Sequence, residues 1–138
     1  MKKLIPLLLV ALALPVLAED PEDAAIAVFE SVRSAWAGGD AKGVGASFDK
    51  DAKVSLALDD KGSYSRDQAI ARLKKYFESN PTSSLKLQKD GYDGGTNPSA
   101  VYDYKYTDAN GKDQEATLVV SLVKKGDRWV VRSISVMR

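Results

Sequence analysis

Residues 99–137, SAVYDYKYTDANGKDQEATLVVSLVKKGDRWVVRSISVM, decide the fold class of this chain. Apolar and polar side chains alternate along them with period two, which is the repeat of a β-strand with one buried face. Asn110-Gly111 and Gly126-Asp127 interrupt the alternation, and such dipeptides are typical of tight turns. With one further alternating segment upstream, the pattern predicts an antiparallel sheet whose strands span residues 84–89, 99–107, 115–124 and 128–137.

The residues before this sheet carry the three- and four-residue spacing of amphipathic helices. A first helix begins at Asp20-Pro21, where the aspartate can cap and the proline suits the first turn, and it ends at Gly38-Gly39. Asp40 can cap a short second helix that runs to Ala46. The apolar stripe of the first helix consists of Ala25, Val28, Phe29, Val32, Ala35 and Trp36.

A third helix is indicated by a capping box, in which Ser65 accepts from the amide of Gln68 and the Gln68 side chain reaches back to the amide of Ser65. Asn80-Pro81 ends this helix. Before it, residues 52–58 alternate as a strand and Ser63-Tyr64 forms a short return. Helices followed by a run of strands predict an α+β domain, a curved antiparallel sheet with three helices on its concave side. The predicted core residues are Val28, Phe29, Val32, Trp36, Leu56, Leu58, Leu73 and Phe77.

The start of the chain has the three parts of a secretory signal peptide. Lys2 and Lys3 precede an apolar stretch at residues 4–17, and Val16 and Ala18 occupy the third and first positions before a cleavage site. The apolar stretch is shorter than the about 20 residues of a membrane span. We therefore expect a signal peptide at residues 1–18 and one domain at residues 19–138, which is exported to the periplasm or secreted and is free of the membrane after cleavage.

Composition argues against several classes of function. The chain has 138 residues with 20 basic and 19 acidic side chains, so no charge excess points to nucleic acid. Cysteine and histidine are both absent, which removes thiolate nucleophiles, the commonest general base and the usual ligands of transition metals. We expect no cofactor, no metal site and no nucleic-acid partner.

A series of short motifs runs through the chain in the order Gly39-Asp40-Ala41, Phe48, the strand at 54–58, Tyr64-Ser65, Leu73, Phe77, Asn80-Pro81, Asn110-Gly111, Trp129-Val130-Val131 and Ile134-Ser135-Val136. In order and spacing they resemble the nuclear transport factor 2-like superfamily, also called the cystatin-like cone. Over residues 39–137 the chain is similar to a family of uncharacterised secreted bacterial proteins with that fold. It departs from the family pattern at Tyr76, where a phenylalanine is expected, and in a longer stretch between Gly111 and Trp129. The resemblance implies no catalytic residue, because the superfamily includes isomerases, cyclases, dehydratases and dimerisation modules.

The acids that such a fold could use as a general base are Asp49, Asp51, Asp59 and Asp60. A carboxylate buried in an apolar pocket has a raised pKa and can accept a proton near neutral pH. Tyr92, Tyr102 or Tyr104 could donate to a developing oxyanion. Aspartate is also a common cap and turn residue, and no regular pairing of acid with tyrosine is visible. The structural role is therefore favoured, and no catalytic residue is assigned.

Tyr102, Tyr104 and Tyr106 share one face of their strand because side chains alternate with period two. Such a row can line a cavity, contact a partner or pack against the helices. The candidates for a ligand pocket are Trp36, Tyr76, Tyr102 and Tyr104. The favoured function is an exported, non-catalytic module that binds a small molecule or a protein. The alternative is a small cofactor-free isomerase, cyclase or dehydratase that uses a pocket aspartate and a tyrosine.

The last two strands carry apolar residues on both faces. Simple alternation sets Leu118, Val120 and Leu122 against Val119 and Val123 on one strand, and Trp129 and Val131 against Val130, Ile134 and Val136 on the next. One face must cover the helices, and the other would be exposed in a monomer. We therefore expect a homodimer formed through the second face. Coverage of that face by residues 19–22 or 90–98 is the alternative.

Overall fold

The computed structural model describes residues 21–138, which contain three helices and one six-stranded sheet. The predicted signal peptide and the predicted cap Asp20 lie outside the described residues. The helices are α1 (Pro21–Ala37), α2 (Ala41–Gly45) and α3 (Arg66–Ser79). The strands are β1 (Val54–Ala57), β2 (Lys61–Tyr64), β3 (Thr82–Asp93), β4 (Ser99–Thr107), β5 (Asp113–Lys125) and β6 (Arg128–Met137). This α+β arrangement, a curved sheet with helices on its concave side, confirms the predicted fold class.

The strands lie in the order β2-β1-β6-β5-β4-β3. Every neighbouring pair is antiparallel except β1 and β6, which run parallel with Ser55 opposite Ser133. The sequence predicts a wholly antiparallel sheet, and this one pair differs. β1 belongs to the β1–β2 hairpin and β6 to the β3–β6 meander, so no tight turn joins them and sets their relative direction.

The capping signals of α2 and α3 act as the sequence predicts. The side chain of Asp40 accepts from the amide of Gly43 at 2.9 Å. Ser65 accepts from the amide of Gln68 at 3.3 Å, and the Gln68 side chain accepts from the amide of Ser65 at 3.1 Å. These bonds satisfy amides that have no partner inside a helix, so local sequence determines where both helices begin.

The core lies between the helices and the concave face of the sheet. Six of the eight predicted core residues are buried there, each 7% exposed or less. Val28 and Leu58 are instead half-buried at the edge of the same cluster. Val28 lies beside the buried stripe of α1, and Leu58 follows the last residue of β1. The buried stripe of α1 consists of Ala25, Phe29, Val32 and Trp36.

Strand β6 contains one residue more than the facing part of β5. Ser121 of β5 pairs with Ser133. The next residue of β5, Leu122, pairs with Val131, which leaves Arg132 without a counterpart. This β-bulge shifts the side-chain alternation by one residue, so the prediction is wrong for Ile134 and Val136, which lie on the same side as Trp129 and Val131. The residues of β6 on the core side are Trp129, Val131, Ile134 and Val136.

Strand β3 extends beyond the predicted 84–89 because it continues through an irregular segment. Leu87 and Tyr92 are the residues of β3 that pair with β4 on either side of this segment. Between them, Asp90 has a φ of 58°, in the left-handed region. A Cβ on Gly91 would lie 2.5 Å from the carbonyl oxygen of Val101, so only glycine fits there. Residues 90–93, which lie outside the predicted strands, therefore belong to the sheet edge.

Candidate functional site

The interior of the cone is filled by aromatic side chains. Trp36 is fully buried, and its ring centroid lies 4.9 Å from that of Phe77 and 5.8 Å from that of Tyr104. Both pairs meet edge to face, an arrangement that the aromatic quadrupole favours. Trp36 and Tyr104, two of the predicted pocket residues, therefore pack within the core.

The hydroxyls of three tyrosines lie at one end of this core. The Tyr104 hydroxyl donates to that of Tyr76 at 3.3 Å, and the rings of Tyr104 and Tyr106 stack with centroids 4.8 Å apart. Burial raises the pKa of Tyr76 far above its ordinary value of 10.0 and also raises the pKa of Tyr104. Both phenols are therefore neutral at physiological pH and act as hydrogen-bonding groups.

Arg138 covers Tyr106 at this end of the cone. Its Nε–H donates to the Tyr106 hydroxyl at 2.6 Å, and its guanidinium carbon lies 5.6 Å from the centroid of the Tyr106 ring. The Nη2 of Arg138 lies 3.2 Å from Oδ1 of Asp59, whose side chain is 68% exposed. The hydrogen bond to Tyr106 raises the pKa of Arg138. A permanent cation thus joins the end of β6 to the β1–β2 turn.

Two clefts flank the Asp59–Arg138 ion pair. One has a volume of about 340 Å³ and includes Tyr76 in its lining, and the other has a volume of about 480 Å³ and includes Tyr106 and Arg138. Both are lined by Asp59, Ser79 and Asn80, so they form one continuous surface feature. We call the two clefts together the mouth groove.

Hydrogen bonds fix both sides of the mouth groove. Asp108, in the β4–β5 turn, accepts from the amides of Lys112 and Asn110, each at 2.9 Å. The bond from the Lys112 amide contributes most to lowering the pKa of Asp108. On the other side, Asp60 pairs with Arg72, and the hydrogen bond between them lowers the pKa of Asp60. Both carboxylates therefore hold turns in place.

Asp49, a predicted candidate for the general base, is a buried carboxylate that is 5% exposed. Its Oδ2 lies 3.2 Å from Nζ of Lys125, and its Oδ1 lies 3.9 Å from Nη2 of Arg128. Burial opposes ionisation, but the hydrogen bond from Lys125 and the Asp51 amide outweigh it, so the pKa of Asp49 is lowered. A general base of the proposed kind needs the opposite shift. Asp49 instead anchors the β5–β6 hairpin to the loop after α2.

The remaining predicted acid, Asp51, is exposed and donates its amide to Asp49 at 3.4 Å. Within residues 21–138, acidic side chains nowhere gather as a set of three that could hold a metal ion. The helices of this described region are also too short or too polar to cross a membrane.

A second, apolar cleft lies between α1 and β3, with a volume of about 140 Å³. Tyr102, another predicted pocket residue, lines it and is 2% exposed. The Tyr102 hydroxyl lies 3.5 Å from the carbonyl oxygen of Phe29, and burial raises the pKa of Tyr102 to about 12. Tyr92, predicted as an oxyanion donor, lines the same cleft with its ring 5.7 Å from that of Phe29. The predicted tyrosines are thus divided between two separate sites.

Several residues of the mouth groove, among them Asn80 and Arg138, are absent from the sequence-based candidates. Asn80 stands out in the sequence as a helix stop and as part of the motif Asn80-Pro81, yet the residue is 7% exposed and its side chain donates to the carbonyl oxygen of Tyr76 at 3.1 Å. Arg138 follows the last predicted strand, and no local pattern pairs it with Tyr106. The one sequence feature that points to this part of the groove is the position of Tyr106, which ends the tyrosine row next to a turn.

Solved structures share this architecture. An NTF-2 like protein of unknown function from Shewanella oneidensis has a TM-score of 0.56 and 15% identity, over 85% of this chain and 98% of that chain. A hypothetical protein with a ketosteroid isomerase-like fold from Catenulispora acidiphila, in complex with trimethylamine, has a TM-score of 0.63 and 14% identity, over 80% and 84%. At such identities the likeness shows the fold alone. By its fold, this chain is an NTF2-like protein.

The family follows from the sequence. The model of a family described as a domain of unknown function, DUF4783, matches residues 29–136, so this chain belongs to the DUF4783 family. A DUF4783 family protein from Bacteroides uniformis has a TM-score of 0.67 and 12% identity, over 79% of this chain and 94% of that chain. Among proteins with curated descriptions, none matches this sequence.

Proposed function

We propose that this protein is a non-catalytic binding module that holds a small polar molecule in the mouth groove. The observation that carries the proposal is the pair of connected clefts, of about 340 and 480 Å³, whose shared wall contains Asp59, Ser79 and Asn80. Pockets for small molecules have volumes of about 300–1,000 Å³. With Arg138, these side chains supply hydrogen-bond donors, acceptors and both signs of charge.

The surroundings of the groove support binding without chemistry. Tyr76, Tyr104 and Tyr106 are each 5% exposed or less and fill the space behind the groove, so a ligand there stays in contact with water. Asp49 is paired with two cations at the other end of β6. Asp59 is exposed and paired with Arg138, and it lacks the apolar surroundings that a general base requires.

The test begins with native mass spectrometry of the purified protein to identify any small molecule that it retains. Binding of that molecule is then measured by calorimetry to the wild type, to Arg138→Ala and to Asp59→Ala. Arg132→Ala is the matched control, because Arg132 is exposed on the bulge in the middle of β6 and lines neither cleft of the mouth groove. We expect at least a tenfold loss of affinity in the first two variants and none in the control. Equal affinity in all four proteins would contradict the proposal.

One observation favours the enzyme alternative. The guanidinium of Arg138 contacts both Asp59 and the Tyr106 hydroxyl, so an acid and a tyrosine meet at the mouth groove. The Asp59→Asn variant distinguishes an enzyme from a binding module. The measurement is turnover of the retained molecule, followed by mass spectrometry. An enzyme loses turnover in this variant. A binding module shows no turnover in the wild type either.

Export is part of the proposal and is supported by the sequence of residues 1–18. Cleavage after Ala18 leaves Glu19 as the first residue. N-terminal sequencing of the exported protein is the test, and an intact Met1 would exclude cleavage.

We also propose that two copies associate through the outer face of the sheet. Five serines stand opposite one another on neighbouring strands, in the order Ser63, Ser55, Ser133, Ser121 and Ser99. In the next row, Val119 lies between Val101 and Ser135. These short side chains make the face flat, so a second sheet can approach to about 10 Å. A twofold pair would bury the valines and bring the hydroxyls of both copies together.

A further inference from the structure

The apolar cleft between α1 and β3 shares no lining residue with the mouth groove. Its buried part is formed by Phe29 of α1 and by Ala100 and Tyr102 of β4, each 4% exposed or less. Its exposed part carries Ile26 and Leu87, which are 44% and 50% exposed. Of the three exposed large apolar side chains of the described residues, two therefore border the same cleft.

Two features of the sheet keep this cleft open. The irregular segment between Leu87 and Tyr92 adds residues to β3 that have no partner on β4, and Asp90 and Gly91 hold it in a conformation that regular strands do not adopt. Ala100 pairs with Tyr92 at the end of this segment, in a row of β4 whose other buried members are tyrosines. The cleft occupies the volume that a larger side chain at this position would fill.

The size and lining of the cleft define what it can accept. Its volume of about 140 Å³ is close to the roughly 150 Å³ of an apolar cavity in another protein that binds benzene. The rings of Phe29 and Tyr92 meet edge to face, with centroids 5.7 Å apart, so the wall presents aromatic surface. The one acid in the lining, Glu30, is paired with Arg33 at 2.6 Å, so it offers no uncompensated charge.

We propose that this cleft is a second binding site, which takes a neutral, single-ring aromatic molecule of the size of benzene or phenol. Phe29, Leu87 and Ala100 line the space that such a ring would occupy, and Ile26 borders it on the exposed side. A charged substituent would have to leave water for an apolar lining without a free counter-charge, which is unfavourable.

The test uses benzene, phenol, benzoate and benzylammonium as probes, titrated into nitrogen-15-labelled protein and followed by amide chemical shifts. We expect saturable shifts with benzene and phenol at the amides of Phe29, Leu87 and Ala100. Benzoate and benzylammonium should bind at least tenfold more weakly. Absence of saturable shifts with the neutral probes, or equal affinity for benzoate, would overturn the proposal.

Substitutions at the exposed part of the cleft locate the site without disturbing the core. Leu87→Asn and Ile26→Asn should each weaken phenol binding at least tenfold. Met137→Asn is the matched control, because Met137 is the remaining exposed large apolar residue of the described chain and lies on β6. It should keep the wild-type affinity, as should Arg138→Ala in the mouth groove. Equal losses in Leu87→Asn and Met137→Asn, or loss of phenol binding in Arg138→Ala, would overturn the proposal.

Discussion

Val131 and Ile134 of β6 face the same side of the sheet although they lie three positions apart. The extra residue between them, Arg132, has no counterpart on β5. The bulge brings apolar residues from both halves of β6 into the core and leaves Ser133 and Ser135 on the outer face. The outer face is therefore flatter and more polar than simple alternation predicts, and this determines which substitutions can test it.

Val119→Lys should convert a dimer into a monomer. Val119 is half-buried at the centre of the outer face, where a lysine would be buried against the second copy without a partner. Light scattering at micromolar concentration measures the effect, and Ser31→Lys on the exposed side of α1 is the control. A wild type that stays monomeric at high concentration would contradict the dimer.

Ile134→Lys is not informative, because Ile134 is fully buried in the core and its replacement would unfold the protein.

Phe77→Ala should lower the free energy of unfolding by about 3–5 kcal/mol, because it leaves a cavity beside Trp36. The two rings lie 4.9 Å apart, and Phe77 is 7% exposed. Urea unfolding followed by tryptophan fluorescence is the measurement. Glu78→Ala, at the exposed neighbouring position, is the control. A loss below about 0.5 kcal/mol, as for a surface substitution, would mean that Phe77 is not part of the core.

Asp49→Asn should make the free energy of unfolding depend less on pH in the acid range. The folded-state pKa of Asp49 lies below its ordinary value of 3.8, so the folded protein binds fewer protons than the unfolded chain. The resulting stability is present above pH 3.8 and is lost as the pH falls from there through the folded-state pKa. Thermal unfolding over this range is the measurement. Lys125→Met should have the same effect and Lys50→Met should not. An unchanged acid profile in Asp49→Asn would contradict the pairing.

The buried tyrosines should make the protein unfold in alkali. Burial raises the pKa of Tyr102 to about 12, whereas an unfolded tyrosine ionises near 10.0. The stability that Tyr102 contributes is therefore present below pH 10.0 and is lost as the pH rises towards the folded-state value. Tyrosinate absorbance and circular dichroism, recorded together, should change in the same pH range. Tyr102→Phe should unfold at higher pH. Ionisation of every tyrosine near pH 10.0 in a folded protein would contradict the prediction.

The sequence predicts most of the fold because the relevant signals are local. The capping box of Ser65 and Gln68 joins residues three positions apart, and the period of two places Tyr102, Tyr104 and Tyr106 on one face. Such interactions depend on neighbours in the chain, so pattern alone identifies them. The residues of the candidate site were only partly predicted in this way. Tyr76 and Tyr102 line clefts, whereas Trp36 and Tyr104 pack in the core.

The sequence by itself determined the α+β class, the starts of α2 and α3, and the buried faces of the helices. Only the tertiary structure decided the parallel pairing of β1 with β6 and the bulge at Arg132. The same is true of the burial of Asp49 against Lys125 and of the contact between Arg138 and Asp59, which lie 79 positions apart. Each of these joins parts of the chain that are distant in sequence. Their geometry follows from how the whole sheet and its helices pack, and no local pattern records it.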